Sequence, residues 1–124
     1  MKHYKKVLTI AGSDSGGGAG IQADIKTMSA CGCYAMSAIT AITAQNTVGV
    51  SRIHNVPADM VAAQIAAVLE DIGVDAVKLG MLPTEASVVA IAGLLKKYEV
   101  TNVVLDPVMV STSGSRLIDE PAAE

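Results

Sequence analysis

The stretch Val7-Leu-Thr-Ile-Ala-Gly-Ser-Asp-Ser-Gly-Gly-Gly-Ala-Gly-Ile-Gln-Ala-Asp24 decides the fold of this chain. Val7 to Ala11 are apolar or β-branched and read as a buried strand. A loop containing Gly12, Gly16, Gly17 and Gly18 follows, and a helical pattern opens near Ala19. Strand, glycine-rich turn and helix is the arrangement by which α/β proteins bring backbone N–H groups close to a small ligand.

The same alternation continues outward from this unit. Ile21, Ile25 and Met28 recur at helical spacing, and Gly32 is placed to end that helix. Tyr34 to Thr43 carries no charge and reads as a second buried strand running into Gln45 and Asn46. Val48 to Val56 is expected to be a short edge strand or extended connection. Ala58 to Ile72 is expected to be a helix with Val61, Ile65, Val68, Leu69 and Ile72 inward, stopped by Gly73. Val74 to Met81 reads as a strand. A helix capped by Thr84 or Pro83 follows through Tyr98, with Val88, Ile91, Leu94 and Leu95 inward. Val100 to Met109 reads as a further strand, leading into Ser111-Thr112-Ser113-Gly114-Ser115. Strands alternating with helices imply βαβ crossovers, hence a mainly parallel sheet with helices on its faces.

Composition narrows the classes of partner. The 124 residues are 51% hydrophobic yet include no Phe, no Trp and three Tyr. The core must be built from Ala, Val, Ile, Leu and Met, which suits close packing of helix on sheet. Net charge is −3, and the adjacent basic pairs Lys5-Lys6 and Lys96-Lys97 lack interleaved aromatics, so nucleic acid is not an expected partner. No run approaches the 18 or so apolar residues of a membrane span. Cys31 and Cys33 do not have zinc-ligand spacing and read as reduced, partly buried thiols of a cytoplasmic protein. Asp119 to Glu124 looks like the start of a helix, and an isolated helical turn is not stable. The expectation is that residues 1–124 are the N-terminal part of one domain, truncated after about its first half.

In open α/β sheets, ligands bind outside the carboxyl ends of the strands. The polar groups expected there are Gly12, Ser13 and Asp14; Gln45 and Asn46; Lys78, Gly80 and Met81; and Asp106 with the loop after it. A phosphate-binding P-loop is absent, because no Lys-Ser or Lys-Thr closes the glycine run. A dinucleotide fingerprint is broken: Gly16, Gly18 and Gly20 give GxGxG, and Gln45 stands where an acidic residue is needed. A small-molecule pocket fits best. Asp24 is either a carboxylate favoured by the helix dipole or an acceptor for an amino or ring nitrogen. Asp14 carries the same ambiguity as a turn residue. Gln45 is either a satisfied loop amide or a partner for a heteroaromatic ring edge. Met81 is core or a soft wall against a flat ring. His3 and His54 have no obvious partners and read as surface or structural residues. Asp106, at the tip of a strand expected to be buried, is a turn carboxylate or a holder of Mg²⁺ and phosphates.

Four blocks carry a resemblance: Leu8 to Asp24; Ser37 to Thr47; Val77-Lys-Leu-Gly-Met-Leu82; and Val104-Leu-Asp-Pro-Val-Met-Val-Ser-Thr-Ser-Gly114. In this order and spacing the sequence resembles the hydroxymethylpyrimidine/phosphomethylpyrimidine kinases of thiamine biosynthesis, a family of the ribokinase-like superfamily that also holds pyridoxal kinases. The resemblance implies a ribokinase-like three-layer α/β/α fold. It implies ATP- and Mg²⁺-dependent phosphorylation of 4-amino-5-hydroxymethyl-2-methylpyrimidine and then of its monophosphate, in a cytoplasmic homodimer. It places the pyrimidine contacts on Gly12, Asp24, Gln45, Met81 and Val108, and the metal and phosphate contact on Asp106. The family's catalytic cysteine lies in a Gly-x-Gly-Cys-like segment of its C-terminal half. Neither Cys31 nor Cys33 matches it, so no catalytic residue is assigned here and the chain alone is expected to be inactive or nearly so. The alternatives are a pyridoxal kinase and a non-catalytic pyrimidine-sensing domain.

Overall fold

A computed structural model describes residues 3–106. The elements in chain order are β1 (Lys6–Ser13), α1 (Gly20–Ala30), β2 (Tyr34–Gln45), β3 (Val50–Asn55), α2 (Ala58–Asp71), β4 (Ala76–Leu79), α3 (Glu85–Lys97) and β5 (Val103–Leu105). They build one five-stranded sheet of order β3-β2-β1-β4-β5. β2, β1, β4 and β5 are mutually parallel, and β3 is an antiparallel edge strand on β2.

Strand alternation sorts the helices onto opposite faces. Leu8 and Ile10 of β1, Met36 and Ala38 of β2 and Val77 of β4 form one core with Val61 and Ile65 of α2 and Ile91 and Leu95 of α3. Thr9, between Leu8 and Ile10, points to the other face, where its hydroxyl meets Asp24 of α1. The result is three layers, with β1 at the centre of the sheet. Chain order runs from β1 outward to β2 and β3, then crosses over β1 to β4 and β5. Helices α1 and α3, which follow β1 and β4, lie on opposite faces, so a crevice opens at the carboxyl ends of these two neighbours.

Local signals account for the boundaries. Thr84 caps α3 by accepting from the Ser87 N–H at 3.1 Å. Gly32 and Gly73 follow α1 and α2 at φ of 81° and 76°. Just beyond the stretch of β2 that β3 pairs, the backbone of Ile39 is met by a side chain instead. Gln64 of α2 accepts from the Ile39 N–H at 2.9 Å and donates to the Ile39 carbonyl at 3.0 Å.

Several expectations are corrected. The strand read over 74–81 is confined to Ala76–Leu79; Gly80, whose N–H still bonds the Ile10 carbonyl at 2.8 Å, and Met81 follow it and line the crevice. The strand read over 100–109 is Val103–Leu105 among the described residues, and it is not buried: all three side chains are exposed, since β4 is its only described neighbour. Ile72 does not join the apolar stripe of α2; it is the C-cap residue and 38% exposed. Cys31 is exposed rather than partly buried, and both cysteines are free. Val108, the Ser111–Ser115 loop and the segment from Asp119 lie outside the described residues.

Candidate active site

The crevice holds a cavity of about 230 Å³. β1 contributes Ala11 to Asp14, α1 contributes Ala23 and Asp24, β2 contributes Thr43 and Gln45, the β4 end contributes Lys78, Gly80 and Met81, and Asp106 stands beyond β5. Gly12, Asp24, Gln45, Met81 and Asp106, singled out from sequence, are thus brought to one cavity.

Its wall begins with the turn after β1. Asp14 is buried, and its carboxylate accepts from the N–H groups of Gly16 (2.7 Å), Gly18 (3.0 Å) and Ala19 (2.8 Å). Its carbonyl accepts from the Gly17 N–H at 3.0 Å. Asp14 therefore resolves as the internal anchor of the loop. Four of the donors that could have cradled a phosphate are already spent, which agrees with the missing P-loop lysine. Ser15 ties the loop to the end of β2: its hydroxyl donates to the Gln45 carbonyl at 2.6 Å and accepts from the Gln45 N–H at 2.7 Å. Thr43 donates to the Ser13 carbonyl at 2.7 Å. Gln45 is half-buried, its Oε1 lies 3.1 Å from the Thr43 hydroxyl, and its Nε2 has no hydrogen-bond partner among the described residues.

Met81 is buried, with Ala41 in contact, and its carbonyl accepts from Thr40 Oγ1 at 2.6 Å. Core and cavity wall are one role here. Its methyl group fills the space over the bare Gly12: a Cβ at Gly12 would lie 2.1 Å from Met81 Cε. Asp24 faces the cavity from the second turn of α1. It accepts from Thr9 Oγ1 at 2.5 Å and pairs with Lys78 Nζ at 2.9 Å. The charge of Asp24 is met by that lysine rather than by the helix dipole. Lys78 stood among the strand-end polar groups but was not assigned to the site; only the register of β4 beside β1 shows that it meets Asp24. Asp106 is exposed, its N–H bonds to the Leu79 carbonyl at 2.8 Å, and its carboxylate has no partner among the described residues. His3 and His54 are exposed and do not line the cavity.

A cavity at the carboxyl rim of a parallel sheet, with one free carboxylate, one unspent amide and a thioether wall, is the kind of site in which an α/β protein can hold a small polar ring. The chain belongs to the phosphomethylpyrimidine kinase family, whose model matches residues 14–124. It is 59% identical over 116 residues to the thiamine biosynthesis bifunctional protein ThiED of Geobacter sulfurreducens, covering 94% of this chain and 24% of that protein. The crystal structure of phosphomethylpyrimidine kinase (thiD) from Clostridium difficile 630 superposes with a TM-score of 0.88 at 52% identity, covering 95% of this chain and 51% of that one. The pyridoxal kinase of Staphylococcus aureus in complex with pyridoxal gives 0.79 at 41% identity, with 88% and 40% covered. The chain thus spans from about a quarter to about half the length of these relatives. No helix among the described residues is long and apolar enough to cross a membrane.

Proposed function

We propose that the whole protein transfers the γ-phosphoryl group of ATP to the hydroxymethyl group of 4-amino-5-hydroxymethyl-2-methylpyrimidine, and then to the resulting monophosphate, in thiamine biosynthesis. The observation that carries this reading is the convergence of Gly12, Asp24, Gln45 and Met81 on one cavity that Asp106 also lines. In this reading Asp24 accepts from the ring amino group, Gln45 Nε2 donates to a ring nitrogen, and Met81 packs on the ring face. Val108 is proposed as a further ring contact. The bare Cα of Gly12 makes room for the Met81 methyl, which sets the thioether against the ring.

In each transfer the acceptor oxygen forms a bond to the γ-phosphorus, the bond from that phosphorus to the bridging oxygen breaks, ADP leaves, and the hydroxyl proton passes to solvent. Catalysis of this kind rests on positioning and charge stabilisation. The donor set fits Mg²⁺. Asp106 offers one free hard oxygen donor, and no cluster of three or more acidic, His or Cys ligands forms among the described residues. Magnesium takes one or two carboxylates and fills its shell with water and phosphate. Bound there, it would neutralise charge on the transferring phosphate. We further propose that residues 1–124 are the N-terminal part of a single kinase domain, that they supply the acceptor pocket but little turnover alone, and that the whole protein is a cytoplasmic homodimer acting on neither nucleic acid nor membrane.

A coupled ADP-release assay on the full-length protein tests the activity, with pyrimidine and pyridoxal as competing acceptors. Preferred turnover of the pyrimidine is expected. A clear pyridoxal preference, which the likeness to pyridoxal kinases makes the natural second reading, overturns the substrate choice. Binding without any turnover of either favours a sensor. Turnover by the 124-residue chain matching that of the full-length protein overturns the division of labour, and light scattering reads the dimer.

A further inference from the structure

Asp24 has more partners than a single contact to a ring requires. Thr9 Oγ1 donates to Oδ2 at 2.5 Å, and Lys78 Nζ bonds Oδ2 at 2.9 Å and Oδ1 at 3.1 Å. An ionised carboxylate offers about four acceptor positions, two on each oxygen. Oδ2 is therefore fully used, and Oδ1 keeps one position. The lysine also cancels the carboxylate's charge, in a wall where the two side chains are 19% and 16% exposed. What the cavity meets at Asp24 is one neutralised acceptor.

The backbone is shaped for this pairing. Residues 78 and 80 share a face of the chain leaving β4. A Cβ at Gly80 would lie 2.7 Å from the Ala11 Cβ and 3.0 Å from Lys78 Nζ. The missing side chain at Gly80 is the space through which Lys78 reaches Asp24.

We propose that Lys78 is the positioning residue that sets the specificity of this pocket: by occupying Asp24 it admits a neutral ring carrying one amino donor and refuses a cationic, two-donor amidine. A free carboxylate in a partly buried cleft binds a planar two-donor cation with paired, charge-assisted hydrogen bonds. Lys78 removes both the net charge and the second acceptor such a ligand needs. The inference rests on the proposed function only in taking the amino ring to be the substrate.

The test uses benzamidine as the probe and the full-length protein. Calorimetry on the wild type is expected to show weak benzamidine binding. Lys78→Met is expected to tighten it at least about tenfold, because charge-assisted pairs are roughly twice as strong as neutral ones. In kinetics the same change is expected to raise the pyrimidine KM about tenfold while kcat falls less than about threefold, as for lost ground-state positioning. A collapsed pocket does not gain a ligand, so the gain separates positioning from structural damage. Lys78→Gln, which keeps a donor to Asp24 but not the charge, serves if the first variant fails to fold and is expected to gain benzamidine affinity too. The double variant Asp24→Asn/Lys78→Met is expected to bind it no better than wild type. Unchanged benzamidine affinity in the folded single variants overturns the inference. Failure of the wild type to phosphorylate the pyrimidine strikes the proposed function instead and leaves the calorimetric test standing.

Discussion

Two glycines of the opening loop look alike in sequence and do different work. A Cβ at Gly12 would strike the terminal methyl of Met81, the movable end of a flexible side chain. A Cβ at Gly20 would lie 2.3 Å from the Gly12 carbonyl oxygen, and the residue holds φ at 58°. Gly12→Ala is therefore expected to cost under about 1.5 kcal/mol of stability, since Met81 can swing aside. The displaced thioether then intrudes on the cavity, and ring affinity is expected to fall about tenfold, as for a lost apolar contact of one to two kcal/mol. Gly20→Ala meets rigid backbone and a strained φ, and is expected to cost about 2–4 kcal/mol. Urea unfolding reads the first quantity and titration calorimetry the second; equal stability losses would contradict the assignment. Strand ends place Gly12, Gln45, Met81 and Asp106 at one rim, and the family resemblance adds Asp24. Both are silent on how each carboxylate is satisfied. Asp14 and Asp24 are both acids flanking one loop, yet one anchors four backbone N–H groups with carboxylate and carbonyl, and the other is paired with a lysine 54 residues away. That difference is a matter of three-dimensional register, which local sequence does not carry.

The same limit governs the elements. Helices were legible because their apolar periodicity and caps are local, as with Thr84 and the Ile91–Leu95 stripe of α3. Strand lengths and burial were not, because they depend on which neighbour arrives. β5 reads as apolar and buried, but as the outer described strand it is exposed. β2 faced the converse problem, a central apolar strand whose edge beyond β3 lacks a partner, and Gln64 supplies it. Gln64→Leu keeps the volume and removes both bonds to Ile39. It is expected to cost about 1–3 kcal/mol and to speed exchange of the Ile39 amide, because a partly buried donor and acceptor lose their partners. Unchanged Ile39 protection would show that the edge is closed by something else. A second contact joins α2 to α3, where the Tyr98 hydroxyl donates to Glu70 Oε1 at 2.8 Å. This bond, with lesser desolvation and the Glu70 charge, raises the Tyr98 phenol above the ordinary value of 10.0. The folded chain holds this proton more tightly than the unfolded one. The contact's contribution is thus constant below about pH 10 and lost as pH rises through the raised value. Tyr98→Phe is expected to remove that alkaline slope from stability curves and to leave the neutral region flat.

At the scale of the whole molecule, the cavity is the place where the sheet's two directions of growth meet. β1 and α1 supply one wall, β2 the far edge, and the β4 end the floor, so a ligand there holds together elements that are far apart in sequence. Its binding must therefore report on global unfolding rather than on one loop. A ligand that binds only the folded chain at one hundred times its Kd adds about 2.7 kcal/mol. For a chain of this length that corresponds to a rise in melting temperature of about 10 °C. Saturating 4-amino-5-hydroxymethyl-2-methylpyrimidine is expected to produce a rise of that order in the 124-residue chain, and ATP without the pyrimidine to produce much less. Calorimetric melts at several ligand concentrations check the logarithmic dependence that mass action requires. A rise with ATP alone that matches the pyrimidine's would move the nucleotide into the cavity of Gly12, Asp24 and Gln45 and reverse the roles proposed for the two substrates. A rise with the pyrimidine that Asp24→Asn abolishes would fix the acceptor's place between β1 and β4. The ring then supplies part of the cohesion of the three layers, and the pocket is a property of this chain's own fold.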